Sequence, residues 1–180
     1  AKRRRRVVAR IRAYNDFVAE YGDALTKHAT FMALADHFRD RDGLYTDWRR
    51  WPGSFRHPRY YEVAAFRAAH AEEIDFHRYV QFEIDQQLAG VRSVARRARL
   101  RIGLYNDLAL ASAAEGSDAW ANQDLFVSGA TLGAPPDGHS KTGQNWNLPP
   151  INPHRLASDG YRYWTALVEA SCAHAGMLRI

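Results

Sequence analysis

Within the stretch "LGAPPDGHSKTGQNWNLPPINPH", residues 132–154, an acid, an amide and an indole stand close together: Asp137, Gln144 and Trp146. Those side-chain types suit recognition of a sugar chain. Carboxylate and amide groups hydrogen-bond hydroxyls, and a flat aromatic ring covers the CH-rich face of a pyranose. The same stretch holds five of the chain's seven prolines, in part as two Pro-Pro pairs, and also Gly133 and Gly143. Proline fixes φ and lowers the entropy lost when a loop becomes ordered, while glycine allows tight turns. A loop longer than about 12–15 residues without secondary structure is usually functional or disordered, and this one is stiffened. A structural tryptophan beneath a proline-rich loop would give the same composition, so composition leaves both readings open.

A further carboxylate, Asp107, lies in "LRIGLYNDLAL", a mostly apolar run with strand character. Other groupings are too sparse to do chemistry. Glu73 and His77 are one helical turn apart, but a zinc site takes three or four ligands and no others converge on them in the sequence. There is no glycine-rich phosphate loop and no serine nucleophile elbow. The single cysteine, Cys172, excludes an internal disulfide, and on an apolar helical face it reads as a buried, inert thiol. No metal site is expected.

The elements that must position these residues follow from hydrophobic spacing. Val7, Val8, Ile11, Tyr14, Phe17, Val18 and Tyr21 predict a helix stopped at Gly22, and Leu25, His28, Met32, Ala35 and Phe38 mark one face of a second, from Asp23 to His37. The loop "GLYTDWRRWPGSFRHPRYY" carries Trp48 and Trp51, which are expected to pack it onto the helices. A long helical stretch over 60–99, interrupted near His70, has Phe76, Val80, Ile84, Leu88, Val91, Ala95 and Ala98 as its apolar stripe. Strand Ile102–Leu110, a loop-rich region over 111–158, a helix through Tyr161, Trp164, Leu167, Val168, Cys172 and Ala175 closed by Gly176, and a strand in "GMLRI" complete the chain. This order predicts a parallel βα architecture, α/β in class, with the two strands side by side. Insertions after a barrel strand build the active-site face, which puts Asp107 where barrel enzymes keep working carboxylates. The expected division is a helical subdomain or insertion at 1–75 and a partial (β/α) barrel segment at 76–180, including the 111–158 loop.

With 46% hydrophobic and 12% aromatic residues in 180, the chain reads as folded and globular. Its net charge of +5 equals the contribution of Lys2, Arg3, Arg4, Arg5 and Arg6 alone. Arg92, Arg96, Arg97, Arg99 and Arg101 cluster at a helix end, where cations complement the dipole. No basic stripe of the kind that grips nucleic acid results. No run reaches the roughly 18 apolar residues of a membrane span, and no signal-peptide core is present, so cytoplasm is the expected compartment. The first residue is Ala1, already within a helical pattern, and the last few begin a strand, so the chain is expected to be a fragment.

On "GAPPDGHSKTGQNWNLPPINPH", "GYRYW" and "AGMLRI", extended backwards through "IGLYNDLAL", "DWRRWP" and "FVAEYGDALTKHATFMALADHF", the sequence resembles the 4-α-glucanotransferases, the amylomaltase or disproportionating-enzyme family of the α-amylase clan. That family has a G-x-P-P-D loop, then G-Q-x-W-G-x-P, then a helix leading into R-I-D. The resemblance implies a TIM (β/α)8 barrel and transfer of 1,4-α-glucan segments by a retaining double displacement, without a cofactor. α-1,4-Glucans would be both donor and acceptor, and neither nucleic acid nor membrane a partner. It implies that Asp107 is the acid at the end of the third barrel strand and Asp137 the acid of the active-site loop. Gln144 and Trp146 would be the loop's sugar-contacting amide and indole. Arg179 would be the arginine two residues before the nucleophile, which is expected immediately after Ile180, so no nucleophile or general acid falls within the chain. Gly138 and His139 stand where some members have two aromatics, and Asn147 stands where the family usually has glycine. The alternatives are a non-catalytic α-glucan-binding domain and a basic nucleic-acid-binding helical protein.

Overall fold

The computed structural model describes residues 2–42, 47–109 and 111–180. The chain divides into two compact units, Ala1–Gln87 and Leu88–Ile180. In the first, α1 (Lys2–Asp42) is two helices joined at Gly22, whose φ of 46° and ψ of −119° are non-helical. Glycine reaches that conformation freely and a residue with a Cβ does not, so the break falls where the sequence places a helix stop. Helix α2 (Tyr61–Ala69) gives way to α3 (Ala71–Arg97) at His70, which has φ −119° and ψ 39°, again at the expected interruption.

Trp51 carries its loop onto these helices. It is fully buried, with ring centroids 5.2 Å from Phe31 and 5.4 Å from Phe38, and its carbonyl accepts from Arg56 Nε at 2.7 Å. The first four residues of that loop lie outside the described residues. A second cluster, Phe17, Leu25 and Phe82 with Tyr14, Val18 and Tyr21 against it, joins α1 to α3.

Several faces differ from expectation. Val7, Val8 and Ile11 are exposed, so the buried part of the first α1 stripe begins near Tyr14. On α3, Phe76 is 62% exposed and Ile84, Leu88 and Val91 are exposed too, whereas Ile74 and Phe82 are buried. The buried face of α3 includes the half-buried polar residues Arg78, Gln81 and Asp85, and so looks less amphipathic in sequence than the stripe beside it. Its partner helix makes it packable: Tyr14 of α1 donates to Asp75, and Thr26 accepts from Arg78 at 3.1 Å. Each such partner offsets part of the cost of burying a polar group.

In the second unit, α3 ends with Arg99 in the left-handed region, φ 58°, and Leu100 N–H donates to the Ala95 carbonyl at 3.1 Å. This is the six-to-one closure usual for a glycine stop, here made by arginine. Strands β1 (Tyr105–Asp107) and β4 (Met177–Arg179) pair in parallel, Tyr105 with Met177, Asn106 with Leu178 and Asp107 with Arg179. Both are shorter than, or shifted from, the expected Ile102–Leu110 and Leu178–Ile180, and Leu110 lies outside the described residues. The parallel pairing itself is as predicted, and no helix covers 102–104. Between the strands lie α4 (Ser117–Ala121), the two-residue strands β2 (Gly133–Ala134) and β3 (Gln144–Asn145), α5 (Pro153–Ser158) and α6 (Arg162–Cys172). Helix α6 ends a turn before Gly176, with Tyr163, Trp164, Leu167 and Val168 half-buried. Cys172 is exposed, correcting the expectation of a buried thiol. The half-buried side of α6 continues to Ser171, whose carbonyl accepts from Asn106 Nδ2 at 2.9 Å, and Cys172 lies one position round the helix from it.

Candidate functional site

The region 111–158, expected from sequence to be loop-rich, contains an antiparallel excursion over 125–152 held by backbone hydrogen bonds. Asn152 N–H donates to Leu125 at 2.8 Å, Val127 to Pro150 at 2.9 Å, Leu132 to Leu148 at 2.8 Å and Trp146 to Leu132 at 2.9 Å. Phe126 bridges Ile151, and β2 pairs with β3 antiparallel. The prolines sit where this ladder needs no donor, so five of them coexist with it. Gly133 is needed by close approach, since a Cβ there would stand 2.0 Å from the Gln144 carbonyl oxygen. The base of the excursion is fixed by buried Leu125 and Trp120 and by Phe126, whose ring lies 5.9 Å from that of Tyr163 on α6. The Tyr163 hydroxyl lies 3.3 Å from Ser112 Oγ, and burial raises its pKa.

At the tip, Asp137 organises the turn. Its Oδ1 accepts the backbone N–H of Ser140 at 2.7 Å and of His139 at 2.8 Å, and its own N–H donates to the Ser140 carbonyl at 2.9 Å. The two amides, Ser140 first and His139 second, hold the carboxyl below the ordinary aspartate range. Ser140 Oγ donates to the Gly143 carbonyl at 2.7 Å, tying the turn to the strand that carries Gln144. Ser140 has no place among the residues the sequence singles out, although "DGHS", an aspartate followed by a serine three on, has the form of an Asp-capped turn. Two residues later, just past β3, Trp146 Nε1–H donates to Gln144 Oε1 at 2.9 Å. That bond sets the indole orientation and leaves Trp146 40% exposed at the surface. Asn147 follows with φ 54°, and its N–H donates to Asn145 Oδ1 at 2.8 Å. Asparagine enters the left-handed region more readily than most residues, so the turn is made at the position where the resemblance leads one to expect glycine.

Asp107 and Arg179 form a separate group. The strand register sets them opposite one another, and Arg179 Nη2 pairs with Asp107 Oδ2 across β1 and β4. Gly176 makes this register possible: its N–H donates to Leu104 at 2.8 Å, and a Cβ there would fall 1.6 Å from the Ile102 carbonyl oxygen. Among the described residues no hydrogen bond joins the Asp107–Arg179 pair to Asp137, Gln144 or Trp146. The structure therefore presents two polar sets, an ion pair at strand ends and an acid, amide and indole on an ordered excursion.

Glu73 and His77 do not converge. Glu73 lies 3.3 Å from His70 Nδ1, and His77 Nε2 lies 3.1 Å from Asp36. Among the described residues no three His, Cys, Asp or Glu side chains are grouped to hold a metal ion. Nor is any helix among them long and apolar enough to cross a membrane.

Comparison with known proteins adds independent findings. A 4-alpha-glucanotransferase of Mycobacterium bovis is 45% identical over 168 residues, which is 93% of this chain and 22% of that protein. The 4-alpha-glucanotransferase of Haemophilus influenzae is 30% identical over 179 residues, 97% of this chain and 25% of that protein. Among solved structures, the amylomaltase from Corynebacterium glutamicum matches with a TM-score of 0.74 at 29% identity, covering 96% of this chain and 22% of the other. An amylomaltase from Streptococcus agalactiae, solved in complex with acarbose, matches with a TM-score of 0.78 at 23% identity, covering 94% and 34%, a likeness of fold. The chain thus spans a minor part of the length of each of these proteins. Since the sequence profile described as 4-alpha-glucanotransferase matches residues 1–180 from end to end, the chain belongs to the 4-alpha-glucanotransferase family.

Proposed function

We propose that the chain supplies part of the substrate site of an enzyme that moves segments of 1,4-α-glucan from a donor chain to the 4-position of an acceptor. The observation that carries this is the parallel register that sets Asp107 beside Arg179 at the ends of β1 and β4. In this reading the two strands are neighbours in a (β/α) barrel. The helical portion before them is an insertion, with the division falling within α3, and the 111–158 excursion covers the strands' C-terminal ends, where barrel enzymes work. The likeness of fold to two amylomaltases supports the barrel.

The chemistry is a retaining double displacement. A carboxylate attacks the anomeric carbon while an acid protonates the departing glucan, and a second glucan takes the glycosyl group from the enzyme. The nucleophile belongs directly after Ile180. Arg179 would hold Asp107 in place and keep nearby carboxylates ionised and oriented. Trp146 would stack on a glucose ring, steered by Gln144. Because Gln144 Oε1 is taken by the indole, its amide N–H groups are what it can offer to sugar hydroxyls. Asp137 uses Oδ1 for its turn, so Oδ2 is the oxygen available to a sugar hydroxyl.

The 180-residue chain alone should leave maltotriose unchanged, because a retaining site needs a nucleophile and an acid about 5–5.5 Å apart. The longer enzyme should convert maltotriose to glucose and longer maltooligosaccharides, read by chromatography. Glucose release by the chain alone would show that the reacting groups had been misplaced, and a longer enzyme without transfer products would remove the activity.

A further inference from the structure

Two guanidinium groups meet one face of α1 in the first unit. Arg67, from α2, donates through Nε to Thr30 Oγ1 at 3.0 Å and through Nη2 to the Pro58 carbonyl at 3.5 Å. Arg78, from α3, donates through Nη2 to Thr26 Oγ1 at 3.1 Å. Thr26 and Thr30 are one helical turn apart. Each hydroxyl gives its own proton to the carbonyl four residues back, that of Gly22 at 2.9 Å and that of Thr26 at 2.7 Å. Both hydroxyls are thereby fixed as acceptors towards the arginines. Thr30 is fully buried, and Arg78 Nε is buried without a hydrogen-bond partner.

Among the described residues no carboxylate is hydrogen-bonded to either guanidinium. A guanidinium stays protonated at any physiological pH, so taking it out of water is costly unless an anion accompanies it. Among the described residues both arginines end on neutral oxygens. Two acids in reach have partners of their own: Asp23 pairs with Lys27 at 2.7 Å, and Asp75 accepts from the Tyr14 hydroxyl. Burial lowers the Arg67 pKa, Asp23 draws it back and the charge of Arg78 lowers it again, so the two arginines lie within electrostatic reach of each other. Donors also remain. Arg67 Nη1 and Arg78 Nη1 make no hydrogen bond among the described residues, and Arg78 Nε is closed off from solvent beside them.

We propose that Arg67 and Arg78, seated on Thr26 and Thr30, bind a phosphoryl group, either as inorganic phosphate or as the head of a small phosphate ester. A near-dianion with several acceptor oxygens matches two cations with free N–H groups better than a single carboxylate or chloride does. The site does not depend on the reading of the loop or of the barrel strands.

The test uses the 180-residue chain at constant ionic strength, with chloride exchanged for inorganic phosphate or for glycerol 2-phosphate. Phosphate should raise the melting temperature saturably and shift the Arg78 Nε–Hε resonance in a ¹H–¹⁵N spectrum. Arg78→Met should weaken the apparent affinity about tenfold or more, as loss of a charge-assisted hydrogen bond implies, whereas Arg155→Met should leave it unchanged. Saturation by inorganic phosphate alone assigns the site to the free ion, and tighter saturation by glycerol 2-phosphate assigns it to an ester. A response no larger than that to chloride, or one that survives in Arg78→Met, would overturn the proposal. If Arg78→Met does not fold, the wild-type spectrum decides: an unmoved Arg78 resonance at saturating phosphate rejects the site.

Discussion

Trp146 and Asp137 sit ten residues apart or less on one excursion, yet they are held by different means and should fail differently. The indole is oriented through a single bond to Gln144 and keeps an exposed face. In the longer enzyme Trp146→Ala should lower glucan affinity by about 1–3 kcal/mol, the scale of base stacking on aromatic side chains, with kcat changed less; unchanged KM and kcat per folded molecule would remove the loop from the site. Asp137 is tied to two backbone amides, which depress its pKa. A depressed carboxyl contributes its turn-ordering fully above the unfolded aspartate pKa and loses it as pH falls through the folded value. The Ser140 and His139 amide resonances should therefore titrate together, with a midpoint below the ordinary aspartate value of about 3.9. Asp137→Asn keeps the shape and should abolish that titration. Two amides that titrate separately, or at the ordinary value, would show that the turn does not rest on this carboxylate.

At the scale of elements, two glycines matter for opposite reasons. Gly22 has open space around it but a backbone forbidding to other residues, φ 46° with ψ −119°. Gly22→Ala should cost about 1–3 kcal/mol through backbone strain, measured by urea denaturation. Gly176 has an ordinary φ but no space, because a Cβ would lie 1.6 Å from the Ile102 carbonyl oxygen. Gly176→Ala should force β4 from β1, costing roughly 1–3 kcal/mol as overpacking does. It should also shift the amide signals of Tyr105–Asp107, which Gly22→Ala leaves in place. Equal stability of Gly176→Ala and wild type would mean that the strand approach is looser than the register implies.

At the scale of the whole chain, burial divides side chains that the sequence treats alike. Phe82 is closed in against Phe17 and Leu25, whereas Phe76 on the same helix is exposed. Phe82→Ala should cost about 3–5 kcal/mol as core aromatics do, and Phe76→Ser should fall within about 0.5 kcal/mol of wild type. Comparable losses from the two substitutions, by denaturation of the 180-residue chain, would show that the α3 stripe is buried after all.

Local chemistry made much of this legible from sequence. Gly22 stops a helix because of its own φ, His70 interrupts one, Trp51 anchors a loop, and the run through Asp107 pairs in parallel with the C-terminal strand. The proline-rich stretch could be recognised as ordered because restricted backbones need no distant partner to be stiff. What tertiary structure decided was which face is buried and which polar groups are satisfied. The polar side of α3 packs because α1 brings Tyr14 and Thr26 to it, and the ladder beneath Trp146 exists because Leu125–Leu132 and Leu148–Asn152 meet. Such pairings depend on residues far apart in the chain, and periodicity along one segment carries no record of the hydroxyl or carbonyl that another segment will supply.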